Sequence, residues 1–312
     1  MVYAVHFAVA VLACYLIAQV LTRSTWTYDS PRVAIICWQA VGLALGLSAI
    51  GLPLAAGLAP YDDGVGTALL RLASGELVPG FGLAHAALVA GGFGVGGVLI
   101  GTTVICGLRA LSAQRRHRDL LTLVARDDPA APGALVLDHP SAAAYCLPGV
   151  RPTVVVSAGT LSLLDRAQLA AVLSHERAHA DERHDLVLLP FTALCRALPW
   201  AAWVRAARDT VALLVEMRAD DRARRQHMDG ALAAALLRFA SAPSRVTPAG
   251  ALGIAEIRTT RPLPITLSIA DSHLDARVRR LLTTGRPPRV RGAIALGVTA
   301  TLVVTTVALF VG

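Results

Sequence analysis

Leu186-Val-Leu-Leu-Pro190-Phe-Thr-Ala-Leu-Cys-Arg196-Ala-Leu-Pro199-Trp200-Ala-Ala-Trp203-Val204 is the stretch on which the fold turns. Its nineteen mostly apolar residues come close to the length of a bilayer crossing, which takes about 20. Read as a crossing, it separates everything before Leu186 from everything after Val204 by a membrane. Pro190, Arg196 and Pro199 interrupt it, and proline inside a helix removes a backbone hydrogen bond and clashes with the preceding turn. The stretch therefore reads as two short helices, folded against each other or lying at a membrane surface. Trp200 and Trp203 suit such an interface.

Outward from it, four other stretches are long enough to cross: 3–21, 33–58, 81–108 and 292–311, none with an Asp, Glu, Lys or Arg. They account for the composition of the 312 residues, which are 55% hydrophobic and 16% charged with mean hydropathy +0.58, where a soluble domain carries about 25% charged residues. The first reads as a retained span rather than a signal peptide, because no basic residue precedes it and Arg23 follows it. In the third, Gly92-x-x-x-Gly96 and Gly97-x-x-x-Gly101 suit close helix contact in lipid.

The 29 basic residues are all arginine, against 21 acids, for a net charge of +8. Arg109, Arg115, Arg116 and Arg118 follow span three, and Arg286, Arg289 and Arg291 precede span four, while the loop between spans two and three holds Asp62, Asp63 and Glu76 against Arg71. Basic residues mark the cytoplasmic side. The N-terminus is accordingly expected outside and region 109–291 in the cytoplasm, and the charge gives no support to nucleic-acid binding. The five cysteines are scattered without a C-x-x-C pair and read as packing residues.

Region 109–291 opens with short apolar runs at 134–137, 143–146 and 153–156, separated by Asp138-His139-Pro140 and Pro148-Gly149, which predicts a small antiparallel sheet. Asp165-Arg-Ala-Gln168 has the form of a capping box ahead of Leu169, Val172 and Leu173 at helical spacing. Further helices are expected at about 208–228, 230–241 and 273–283.

Inside the helix that starts at Asp165 lies His175-Glu176-Arg177-Ala178-His179. Histidines four apart project from one helix face toward a common point. Neutral imidazole suits Zn²⁺, and a Glu beside the first ligand can take a proton from water at the metal. A third ligand is needed. Glu216 in Glu216-Met-Arg-Ala-Asp220 fits, with Asp220 one turn on and able to accept the N–H of a ligand histidine. His184 is the rival, but it stands nine positions after His175 where the long motif requires ten, and Glu182 occupies the place of its turning glycine. A single crossing by 186–204 would keep Glu216 away from both histidines, a second reason to reject it.

Ala144-Tyr-Cys-Leu-Pro-Gly149, Thr153-Val-Val-Val-Ser-Ala-Gly-Thr160, the HERAH helix with Arg183-His184-Asp185, and Glu216-x-x-x-Asp220 together resemble the BlaR/MecR type of integral-membrane zinc metallopeptidase and, more distantly, the HtpX/Ste24 peptidases. The resemblance implies zinc ligands His175, His179 and Glu216, Glu176 as catalytic base, and one Zn²⁺ per chain. It implies an α-helical polytopic membrane protein with four transmembrane helices and a cytoplasmic α+β gluzincin-like peptidase domain between spans three and four. The domains are then 1–108, three membrane helices; 109–291, the peptidase; and 292–312, the fourth membrane helix. Its partners would be the bilayer and a protein or peptide substrate, such as a cytoplasmic regulator or the protein itself; a homodimer is left open. BlaR/MecR sensors carry a penicillin-binding domain with S-x-x-K, whereas these residues include no lysine, so β-lactam sensing by this polypeptide is not expected. The competing readings are a membrane signalling or binding protein with a structural or inactive zinc site, and a transporter. Glu176 argues against the first and the absence of charges inside the spans against the second. Tyr145, His227 and Arg280 stand as candidates for stabilising an oxyanion.

Overall fold

The computed structural model describes residues 1–149, 152–227, 230–242, 264–283 and 290–311, with side chains in the fourth segment from residue 273 onward. Arg286 and Arg289, used above for orientation, lie outside the described residues. In chain order the first helices are α1 (Val2–Arg23), α2 (Trp26–Asp29), α3 (Pro31–Gly57), α4 (Val65–Ala73) and α5 (Leu83–Val124). Strands β1 (Ala125–Asp127), β2 (Ala134–Leu137), β3 (Ala144–Leu147) and β4 (Thr153–Ser157) follow. After the strands come helices α6 (Ala158–Leu163), α7 (Arg166–Asp181), α8 (His184–Ala197), α9 (Ala202–Arg224), α10 (Ala231–Ser241), α11 (Pro264–Leu282) and α12 (Val290–Val311).

The chain forms two compact units. The first comprises Met1–Cys106, Leu189–Leu214 and Pro287–Gly312. Among the described residues, helices α1, α3, α5 and α12 are the four long and apolar enough to cross a membrane. Helix α5 does not stop at 108 as expected but continues to Val124, since 109–124 contains neither glycine nor proline to end it. Helix α3 starts on Pro31 at its first position, where the missing N–H costs nothing.

The two glycine motifs separate in use. A Cβ at Gly92 would stand 2.6 Å from Leu54 Cγ, whereas one on Gly97 or Gly101 would meet nothing within 4 Å among the described residues. Among the described residues only the first motif is committed to contact, with Gly96 next to Ile50. Gly92→Val is expected to cost about 1–3 kcal/mol through overpacking, and Gly97→Val nothing comparable, as measured by thermal unfolding of the detergent-solubilised protein.

Residues 186–204 do not form one continuous helix. Helix α8 ends at Ala197, a turn closes with Ala201 N–H donating to Leu198 O at 3.1 Å, and α9 begins at Ala202. The second helix is long rather than short, because 202–224 holds no Pro or Gly. Phe191 meets Trp38 edge-on at 6.2 Å and Trp203 meets Tyr15 at 5.8 Å, so Trp203 packs against α1, while Trp200 is 77% exposed.

The second unit comprises Gly107–Leu188 and Val215–Arg286. Its sheet has the order β1-β2-β4-β3 and is mixed, not antiparallel throughout: β4 pairs in parallel with β2 and antiparallel with β3. A parallel pair needs a long connection, and residues 138–152 supply it, with β3 inside. The corner is tied by Ser157 and Thr160, whose hydroxyls each accept the Ala143 N–H at 2.9 Å. Alternation then divides the strands between two cores. Val136, Val154 and Val156 face Leu169, Val172 and Leu173 of α7 and Leu236 and Phe239 of α10. Val155, Tyr145 and Leu147 face Leu121 from the continuation of α5.

Candidate metal centre

Helix α7 starts where expected. The Asp165 carboxylate accepts from Gln168 N–H at 2.9 Å and the Gln168 side chain accepts from Asp165 N–H at 3.2 Å, a reciprocal cap. Two turns of apolar contacts to the sheet set its rotation, and the same face delivers His175 and His179, with Glu176 beside them; all three are fully buried. Helix α9 brings Glu216, 19% exposed and the most open of the group, and Asp220, buried. Every residue of this cluster belongs to the second unit.

His175 Nε2 and His179 Nε2 stand 3.1 Å apart, and the Glu216 oxygens lie 3.4 Å from each of them. Donors about 2.0–2.2 Å from one tetrahedral zinc are themselves about 3.3–3.6 Å apart, so both Glu216 separations fit zinc and the histidine pair, at 3.1 Å, stands slightly closer. The donor chemistry fits as well, being two imidazoles and one carboxylate.

Behind the donors, His175 Nδ1 lies 3.0 Å from Asp220 Oδ1. Arg277 of α11, buried, reaches Asp220 with Nε and Nη2 at 2.8 and 2.7 Å and Glu216 with Nη1 at 2.9 Å. His179 turns its Nδ1 to His184 Nδ1 at 2.9 Å.

These neighbours set the protonation. Burial acts to raise Glu216, but Arg277 and the two histidines hold its carboxyl down to about 2. Asp220 is likewise held well below the carboxylate range, against burial, by Arg277. For His175, burial is outweighed by Asp220 and Glu216, which lift it to about 9. Burial, with the positive charge of His175, His184 and Arg277 and against Glu216, pushes His179 down to about 3. Glu176 adds a further negative charge acting on Arg277.

Sequence reasoning named His175, Glu176, His179, Glu216 and Asp220, and the fold gathers the two histidines, Glu216 and Asp220 around one point, with Glu176 buried on the same helix. It missed Arg277. The signal was there: Arg277 interrupts an apolar stripe of Leu274, Val278 and Leu281 at helical spacing, where a solvated arginine has no place. His184 is not one of the three donors, as its spacing required. The other candidates have separate partners: the Tyr145 hydroxyl bonds His117 Nε2 at 2.8 Å, and Arg280 forks onto Asp221 at 2.7 and 2.9 Å. His227 lies half-buried just past the end of α9.

Two helices thus bring together a His-His-Glu donor set that could hold a metal ion, with a buried glutamate on the same helix as the histidines. Residues 110–247 match the family model described as peptidase family M48. The match covers 138 of the 312 residues and supports a metallopeptidase. No curated protein and no solved structure matches the chain.

Proposed function

We propose that the protein is a membrane-embedded zinc metalloendopeptidase that cleaves a protein substrate in regulatory proteolysis, close in type to BlaR/MecR. The observation that carries this reading is the set of donor separations, 3.1, 3.4 and 3.4 Å, with a buried carboxylate next to the first donor in sequence. His175, His179 and Glu216 would hold the ion. When bound, zinc polarises the scissile carbonyl and brings the pKa of water at the site toward about 7. Glu176 takes the proton from the attacking water and delivers it to the departing amine. Asp220 Oδ1, 3.0 Å from His175 Nδ1, would take that N–H and so keep the Nε2 lone pair free for the ion, while Arg277 balances the two acids and fixes Glu216. Strand β3, last in the sheet order and packed on α7, offers an edge along which an extended substrate adds by main-chain pairing.

The arginine bias supports a cytoplasmic catalytic domain, 109–291, with the N-terminus outside and 1–108 and 292–312 in the bilayer. The substrate is then a cytoplasmic regulator or the protein itself. Comparing new protein N-termini in cells carrying wild type or Glu176→Gln tests the proposal. The expected outcome is a set of cleavages that disappears in the variant, which still binds zinc. Cleavages that persist unchanged would show that Glu176 is not the base.

A further inference from the structure

His179 has a second nitrogen, and how that nitrogen is bonded decides whether the ring can be a ligand. Its Nδ1 lies 2.9 Å from His184 Nδ1, both rings are buried at 0% and 2% exposure, and the rings meet nearly perpendicular at 84°. Two imidazole nitrogens at that distance share one proton. If His184 owned it, His179 would carry its own proton on Nε2, the atom that faces His175 and Glu216, and could not donate there. A ligand His179 therefore requires the opposite polarity: His179 Nδ1–H donates and His184 Nδ1 accepts.

The surroundings favour that polarity. With Nδ1 accepting, the proton of a neutral His184 ring is on Nε2, which faces Glu182 Oε2 at 3.5 Å. Glu182 is held as an anion by the Arg218 fork, with Nε and Nη2 each at 2.8 Å, and by Arg222 Nη1 at 3.3 Å. The chain is also bent to present this ring. Arg183, between Glu182 and His184, has φ +49, a left-handed conformation that costs a side-chain-bearing residue about 1–2 kcal/mol. That turn ends α7 and folds His184 back onto His179. The turning residue absent from the long zinc motif is thus replaced by a strained arginine, and the third histidine serves behind a ligand.

We propose that His184 is a positioning residue that fixes the Nδ1–H tautomer of His179, anchored in turn by Glu182 and Arg218. The proposal rests on the zinc reading of the site. Loss of such an outer hydrogen bond typically lowers metal affinity about 10- to 100-fold.

The test is zinc affinity of the full-length, detergent-solubilised protein, measured by competition with a chromophoric chelator. His184→Leu, which removes the acceptor, is expected to weaken zinc binding about 10- to 100-fold. His184→Asn, whose Oδ1 takes the place of the accepting nitrogen, is expected to restore it to within about threefold. Thermal midpoints of the zinc-free forms show whether both variants fold alike. Unchanged affinity in His184→Leu overturns the proposal, as does His184→Asn being as weak as His184→Leu, which assigns the loss to packing. A wild-type protein that binds no zinc overturns the site reading itself, an outcome distinct from the other two.

Discussion

Glu216→Ala is expected to purify with little or no zinc and to show no turnover. Structural zinc binding of about 10–16 kcal/mol spread over four ligands assigns about 2.5–4 kcal/mol to each, a loss of roughly 100- to 1,000-fold in affinity. The separations of 3.4 Å from Glu216 to both Nε2 atoms are the reason to expect the full cost of a ligand rather than that of a nearby charge. Asp221→Ala is the control. Asp221 lies on the same helix but pairs with Arg280, so zinc content should not change. Metal analysis of the two variants decides the matter: wild-type zinc content in Glu216→Ala would reduce Glu216 to a partly solvated helix charge and leave the histidines without a third donor.

Arg277→Leu is expected to destabilise the second unit by about 3–5 kcal/mol, the range for removing one partner of a buried ion pair. The guanidinium is 1% exposed and makes three close contacts to two carboxylates, Asp220 at 2.8 and 2.7 Å and Glu216 at 2.9 Å. Without it both acids, which it holds ionised against burial, are left buried without their main compensating charge. Arg277→Lys should recover part of the loss, since it restores charge but not the planar fork that spans both acids. Thermal unfolding of the zinc-free protein in detergent measures this. A midpoint equal to wild type in Arg277→Leu would mean that the arginine does not tie α11 to α9.

Much of this architecture was legible locally. The start of α7 at Asp165 follows from a cap that involves four consecutive residues, and the pairing of His175 with His179 follows from the helix period alone. The apolar helices α1, α3 and α12 follow from runs without charge, since a bilayer core rewards hydrocarbon whatever the neighbours are. The errors fell where the chain needed a distant partner. Strand β2 pairs in parallel with β4, a choice between edges that short apolar runs do not encode. Gly92-x-x-x-Gly96 and Gly97-x-x-x-Gly101 look alike on paper, yet Leu54 and Ile50 of α3 meet only the first pair. Arg277 was one of several arginines near the end of a predicted helix until Asp220 and Glu216 were brought against it.

By itself, then, the order of residues determined the membrane-length helices, the metal-type histidine pair and the break of 186–204 into two helices, because hydropathy, helix period and proline chemistry act within a few turns. Only the tertiary structure decided that Arg277 ties Asp220 to Glu216, and that His184 stands behind His179. The reason is physical. A buried charge is tolerable only beside its counter-charge, and which segments supply it, 37 to 98 residues along the chain from His179, is settled by how α7, α9 and α11 pack.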